Sequence, residues 1–531
     1  MLILQDITHT HPNKDVLFSD LNLSVNRHDK IALIGNNGEG KSVLMKIMAG
    51  ELEPSAGAVQ SDSAPYYVPQ LFGQFNDLTV AQALKVDGKI EALQQILEGK
   101  VTEVNLAILD DDWSIEERCS EALAHWGLGN LPLNTSMSTL SGGQKTKVFL
   151  AGIAIHQPAL VLLDEPSNHL DTVGRELLYQ LVQSNSLTLV VVSHDRQLLN
   201  LLDNVYELSR GKITMYGGNY EFYAEQKEIE SQALQHDVSS KEKALRKAKE
   251  VEREAAERKQ KQDARGKKKQ QKAGMPKVMM NLMKDKAEKS TSRLKGVHTD
   301  KIGTISTALT SLRKELPDRD TMKFGFDSSN LHKGKVLVEG KNLNYGYGEK
   351  ALWAQGIDFR INSGDRIAIK GLNGSGKTTL IKLILGDTEP PSGTIYRASN
   401  SAIYIDQDYS LIDNKLNVYE QAQLFNTSKP PLLEHEIKIR LARFLFSKED
   451  WDKSCGVLSG GEKMRLMLCC LTISHQAPDI IVLDEPTNNL DIQNIEILTG
   501  AINEYEGTLL VVSHDSYFLD QVNVDREILL R

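Results

Sequence analysis

Two stretches of this chain set glycines, a lysine and a hydroxyl at the spacing that grips phosphate: GNNGEGKS from Gly35 to Ser42, and GLNGSGKT from Gly371 to Thr378. Both fit G-x-x-x-x-G-K-[S/T], a loop whose backbone N–H groups close around phosphate oxygens at a helix N-terminus. The cradles are Gly35, Asn36, Asn37, Gly38, Glu39 and Gly40 in one stretch, and Gly371, Leu372, Asn373, Gly374, Ser375 and Gly376 in the other. Lys41 or Lys377 reaches the β- and γ-phosphates, and Ser42 or Thr378 offers a hydroxyl to Mg2+. By average residue usage, one chance match in 531 residues has odds on the order of 0.02, so two are not accidental.

Three more stretches recur in the same order. LSGGQ (Leu140 to Gln144) returns as LSGGE (Leu458 to Glu462), LLDEPSNHLD (Leu162 to Asp171) as VLDEPTNNLD (Val482 to Asp491), and VVSHD at Val191 to Asp195 and Val511 to Asp515. The offset is 336 at the lysines, 318 at Ser141 and Ser459, and 320 at Asp164 and Asp484, so the first copy holds about eighteen extra residues after its phosphate loop. Asp164 and Asp484 each end an apolar strand, where a carboxylate can hold Mg2+ through water, and Glu165 or Glu485 is then placed to polarise an attacking water. A carboxylate there can also simply cap a turn; the repeated loop, strand and spacing favour catalysis. His194 and His514 follow valine-rich strands and could hydrogen-bond a γ-phosphate, although a lone histidine at a strand end is more often structural. Gln70 and Gln407, single polar residues after short strands, are candidate ligands for Mg2+ or water. Tyr347 precedes the second loop by 24 residues and offers a face for adenine; the first copy reads THTHPNKDVLF there, so either His9 or His11 substitutes or the base is held otherwise.

The elements that must position these groups read as α/β. Each phosphate loop follows an apolar strand (IALIG, IAIKG) and precedes a helical pattern (VLMKIMAG, TLIKLILG). The runs ALVLLD and LTLVVVS are uninterrupted, as in strands buried on both faces of a parallel sheet. Two such P-loop units are expected, at residues 1–220 and 331–531, joined by a segment at 221–330 rich in Lys, Glu, Ala and Gln. Within that segment Leu234, Val238, Leu245, Ala248 and Ala255 answer Ile302, Ile305, Leu309, Leu312 and Leu316 as the apolar stripes of an antiparallel helical hairpin, with its turn at GMPKVMMNLMK (Gly274 to Lys284). Net charge is −9, yet residues 241–300 hold 20 Lys or Arg against 9 acids, which suits a polyanionic partner approached through that segment. Four cysteines without CxxC spacing, no long apolar run and no leader pattern point to a cytoplasmic protein without membrane contact.

The set of phosphate loop, Gln loop, LSGGQ, LLDEP, NxLD and SHD resembles the ATP-binding cassette proteins over both halves of the chain. The resemblance implies ATP hydrolysis at two composite sites within a monomer. Ser459, Gly460 and Gly461 would face ATP held by Lys41, and Ser141, Gly142 and Gly143 would face ATP held by Lys377. Twin cassettes on a charged helical hairpin, entered through YGGNYEFYAEQK (Tyr216 to Lys227), are similar to the ABC-F subfamily. That implies the ribosome as partner, contacting rRNA and P-site tRNA through the linker, with a role in translation or antibiotic resistance and none on DNA. The arm that some members insert in the first cassette is expected to be short or absent. The competing readings are the ATPase subunit of a transporter, which needs no such hairpin, and a DNA-repair ATPase, whose hairpins are usually far longer.

Overall fold

The computed structural model describes residues 1–70, 73–184, 187–272, 296–297, 299–313, 332, 334–347, 350–398, 401–427, 430–474 and 476–530. The chain forms two compact units: Met1–Tyr223 with Thr321–Arg531, and Ala224–Asp320.

The first unit contains both cassettes. In the first cassette a six-stranded sheet runs in the order Tyr66–Val68, Leu160–Asp164, Thr188–Val192, Lys30–Ile34, Asn204–Ser209, Lys212–Gly217; its strands pair in parallel except for the last pair. In the second, the order Ala402–Ile405, Ile480–Asp484, Thr508–Val512, Arg366–Lys370, Arg526–Leu529 is parallel throughout. Leu160–Asp164, Thr188–Val192, Ile480–Asp484 and Thr508–Val512 are buried at every position, which is why their sequences are unbroken apolar runs. Burying one such Leu or Val contributes about 1.5–3 kcal/mol. A three-stranded antiparallel sheet stands beside each: Val16–Val25, Leu2–Thr10, Ala56–Ser61, and Ile357–Asn362, Val336–Asn344, Ser392–Arg397.

Each phosphate loop joins the strand in the heart of the sheet to a helix, Lys41–Met48 or Lys377–Leu385. The residues before these helices, Gly40 (φ 97°) and Gly376 (φ 90°), are left-handed, and a Cβ on Gly40 would lie 2.6 Å from Leu17 Cδ2. Only glycine fits there. Ser141 and Ser459 start the helices Gly142–His156 and Gly460–Ile473 with reciprocal caps to Gln144 and Glu462, so the fourth residue past the leucine of each LSGGQ/E motif has a structural reason to be Gln or Glu.

The eighteen extra residues of the first cassette appear as a short helical pair, Asp87–Leu97 and Glu103–Leu109, tied by Asn105 Nδ2 to Gln95 Oε1 (3.0 Å). Asp112 fastens its base, accepting from Arg118 Nη2 (2.5 Å) and Lys89 Nζ (3.1 Å). The arm is therefore short rather than absent.

The helix Tyr220–Lys272 carries the chain from the first cassette into the second unit, and its 53 residues extend about 80 Å at 1.5 Å each. Residues 299–313 form a second helix. Leu309 is buried, Ile302, Ile305, Leu312, Leu234, Val238, Leu245, Ala248 and Ala255 are half-buried, and Arg313 Nη2 donates to Glu242 Oε1 at 2.5 Å. The stripes thus face inward as a hairpin requires. Leu316 and the expected turn at Gly274 to Lys284 lie outside the described residues. Among the described residues no helix is long and apolar enough to cross a membrane.

Candidate active site

Lys41 emerges from the first phosphate loop almost fully buried, with Nζ donating to Gly35 O (2.7 Å) and Asn36 O (3.1 Å). Lys377 does the same with Gly371 O (2.8 Å) and Leu372 O (3.3 Å). Burial pulls both ammonium groups below the usual lysine range, against the pull of Glu165 and Asp491 on Lys41 and of Glu485 and Asp484 on Lys377. A cation held ready and poorly solvated gains from an arriving phosphate.

Asp164, 1% exposed, accepts from Tyr67 OH at 3.1 Å and from Ser42, while its Oδ1 is buried without a hydrogen-bond partner. Asp484 accepts from Tyr404 OH at 2.8 Å and from Thr378. Burial pushes both carboxyls up, and the hydroxyls oppose it. The tyrosines escaped the sequence reading, though both stand three residues before the Gln of their copy, at Tyr67/Gln70 and Tyr404/Gln407.

Glu165 (φ 51°) and Glu485 (φ 47°) are left-handed non-glycine residues, an arrangement costing roughly 1–2 kcal/mol. Their N–H groups are pinned to the neighbouring strand, Glu165 N to Val192 O and Glu485 N to Val512 O, both 2.8 Å. The strain turns each side chain off the strand end into the cleft. Burial raises both carboxyls, Glu485 to about 7. His194 Nε2 lies 3.3 Å from Glu165 Oε1 and His514 Nε2 3.5 Å from Glu485 Oε1, neither aligned as a hydrogen bond. Both imidazoles are neutral, held down by burial first and by the lysines next, His514 to about 4.

A cleft of about 700 Å³ collects these groups at the first loop, with Gly38, Gly40, Lys41, Ser42, Gln70, Asp164, Glu165 and His194 on one side. Opposite stand Gly460, Lys463, Asn488 and Asn489 of the second cassette. Asn37 N donates to Asp491 Oδ2 (3.0 Å) and Asn37 Nδ2 to Asn489 O (3.1 Å), closing the seam. His11 lines this cleft, whereas His9 sits against Phe18 with Nδ1 buried. A second cleft of about 560 Å³ is walled by Asn373, Gly374, Gly376, Lys377, Thr378, Gln407, Asp484 and Glu485. The first cassette meets its rim where Asn373 Nδ2 donates to His169 O (3.3 Å), beside Gly143. Ser141 and Ser459 spend their hydroxyls as caps. The Tyr347 side chain lies outside the described residues.

Comparison with known proteins agrees with this geometry. The ABC transporter family profile matches residues 18–168 and 354–488, over half of the chain. The chain is 30% identical to the putative ATP-binding protein YdiF of Bacillus subtilis over 96% of its length and 77% of that protein. It belongs to the ATP-binding cassette proteins, in the ABC-F group. The cassette fold makes it an ATP hydrolase. It is also 30% identical to the probable ATP-binding protein YbiT of Escherichia coli (98% of this chain, 94% of that one), and 29% to ABC transporter F family member 5 of Arabidopsis thaliana (98% and 73%). Among solved structures, the archaeal ribosome recycling factor aABCE1, in complex with ribosomal stalk protein aP1, shares the fold with a TM-score of 0.60 at 22% identity, covering 99% of this chain and 87% of that one.

Proposed function

We propose that this ABC-F protein binds two ATP molecules between its cassettes and couples their hydrolysis to binding the ribosome in the cytoplasm. The observation that carries the ATP reading is the composition of the first cleft, in which the phosphate loop of one cassette and Gly460 of the other share one wall-to-wall space of nucleotide size. Ser459, Gly460 and Gly461 then complete the site of Lys41, and Ser141, Gly142 and Gly143 that of Lys377. His11 stacks on adenine in the first site and Tyr347 in the second. Glu165 and Glu485 accept a proton from the attacking water, each beside a histidine, His194 or His514, that contacts the γ-phosphate.

Ser42, Asp164 and Gln70, and Thr378, Asp484 and Gln407, fit Mg2+: the buried, unpartnered Oδ1 of Asp164 is an acceptor that nothing in the protein satisfies. Among the described residues no three acidic, His or Cys side chains converge on a metal site. Bound there, the ion neutralises β- and γ-phosphate charge.

Ribosome coupling rests on the basic segment at 241–300, which suits rRNA and tRNA phosphates, and on the ribosomal setting of the aABCE1 structure. The test is Glu165→Gln with Glu485→Gln, in ATP and in ADP, followed by sedimentation with ribosomes at rising salt. ATP binding should persist, turnover should fall at least ~100-fold, and the protein should stay with ribosomes in ATP, weakening steeply with salt. Wild-type turnover in the double mutant would refute the catalytic assignment, and absence of co-sedimentation would refute the ribosomal one.

A further inference from the structure

The two cassettes treat their switch histidines differently. Around Lys377 Nζ lie three acceptors, Gly371 O (2.8 Å), Leu372 O (3.3 Å) and His514 Nε2 (3.3 Å). An ammonium has three hydrogens to donate and no lone pair. Nε2 of His514 is therefore the acceptor, and the ring, neutral in its buried setting, carries its hydrogen on Nδ1. Nδ1 lies 3.1 Å from Thr172 Oγ1 and donates to it.

Thr172 belongs to the other cassette. It is the first residue of the helix Thr172–Gln183, directly after the capping Asp171. The offset of 320 between the copies puts Ile492 in its place in the second cassette, at the start of the helix Ile492–Glu504. Ile492 packs against the apolar core of the first cassette. His194, the counterpart of His514, keeps its Nδ1 buried with no hydrogen-bond partner. One histidine has a hydroxyl supplied in trans and the other does not.

The hydroxyl matters because the ring must change its donor pattern. As the ring stands here, Nε2 accepts from Lys377. To contact a γ-phosphate oxygen, Nε2 must donate, which moves the hydrogen to Nε2 and leaves a lone pair on Nδ1. A threonine hydroxyl accepts from Nδ1–H in the first arrangement and donates to Nδ1 in the second; an isoleucine does neither.

We propose that Thr172 is a positioning residue for the second ATP site: its hydroxyl, reaching across the cassette interface, supports the His514 ring in both tautomers and so ties hydrolysis at Lys377 and Glu485 to docking of the first cassette. The first site, with Ile492 in that place, has no such tie. The proposal rests on the reading of His514 as the γ-phosphate contact. Thr172 is solvent-exposed and its neighbour Asp171 caps the helix, so substitution there leaves the fold intact.

The experiment uses the full chain in a Glu165→Gln background, where only the second site turns over. Thr172→Val removes one hydrogen bond at the reacting histidine and should lower kcat ~10-fold with KM for ATP unchanged. Thr172→Ser should restore the rate. In the complementary Glu485→Gln background, Ile492→Thr should raise kcat at the first site. Wild-type kcat in Thr172→Val, equal losses in Val and Ser, or a change confined to KM would each overturn the positioning role. An unchanged rate in Ile492→Thr would overturn the hydroxyl as the difference between the sites. Failure of the underlying reading is separate: it shows as wild-type turnover in His514→Ala in the same Glu165→Gln background.

Discussion

Replacing Arg196 by alanine should weaken ATP-driven closure of the cassettes by roughly 2–4 kcal/mol. Arg196 stands two residues after His194, and its Nη2 donates to Glu496 Oε1 of the second cassette at 2.8 Å, with side chains only 11% and 19% exposed. The guanidinium also lies 4.5 Å from the ring centre of Tyr517, again across the interface, and 5.7 Å from that of Tyr220 at the root of the long helix. A charge-assisted hydrogen bond at this burial contributes about 1.5–3 kcal/mol, and the cation over Tyr517 about 0.5–1. At 1.36 kcal/mol per factor of ten, the closing equilibrium should fall roughly 30- to 900-fold. The offset of 320 puts Ser516 at the matching position, so the second cassette has no equivalent arginine to compensate. The assay is energy transfer between one dye on each cassette, titrated with ATP in the Glu165→Gln, Glu485→Gln background. Arg196→Ala should need far more ATP to close, and the charge swap Arg196→Glu with Glu496→Arg should recover part of the loss. Closure at the wild-type ATP concentration, or a swap no better than the single mutant, would show that this ion pair does not hold the interface.

Lys41→Ala and Lys377→Ala should lower ATPase activity unequally, because the two clefts differ in their walls and in the groups around their histidines; equal losses in rate and in nucleotide affinity would count against this. Arg366→Ala should destabilise the second cassette by about 3–5 kcal/mol in urea unfolding, since the guanidinium binds the carbonyls of Val522 (2.7 Å), Tyr505 (2.8 Å) and Ile502 (3.0 Å). Lys30→Ala, the matching change in the first cassette, removes one contact of 3.4 Å and should cost far less. Asp112→Asn should loosen the first-cassette arm at neutral pH. Arg118, then Lys89, hold that carboxyl below its usual range, so its contribution is present above the unfolded pKa and vanishes as acid protonates it; the gap between wild type and mutant should close as pH falls below about 4.

Much of the chemistry was legible in the residues because phosphate binding leaves a local imprint. Gly40 and Gly376 must be glycine at a left-handed φ, Lys41 and Lys377 must follow them, and strands buried on both faces must be unbroken apolar runs ending in Asp164 and Asp484. All of these are constraints within a few residues of one another. Periodicity likewise fixed the inward stripes of the hairpin. The sequence left open whether His9, His11 or neither borders the cleft, since both lie on one short stretch and only the position of the strand edge decides which ring meets it. Tyr67 and Tyr404 passed unnoticed because a tyrosine in a strand is ordinary until a sheet lays it beside the next strand's carboxylate. The inequality between Thr172 and Ile492 is written in the repeat, but its meaning is not. A hydroxyl on the first turn of a helix acquires a role only when packing two cassettes face to face brings it to a ring 342 residues further along the chain, a proximity that no local rule of spacing encodes.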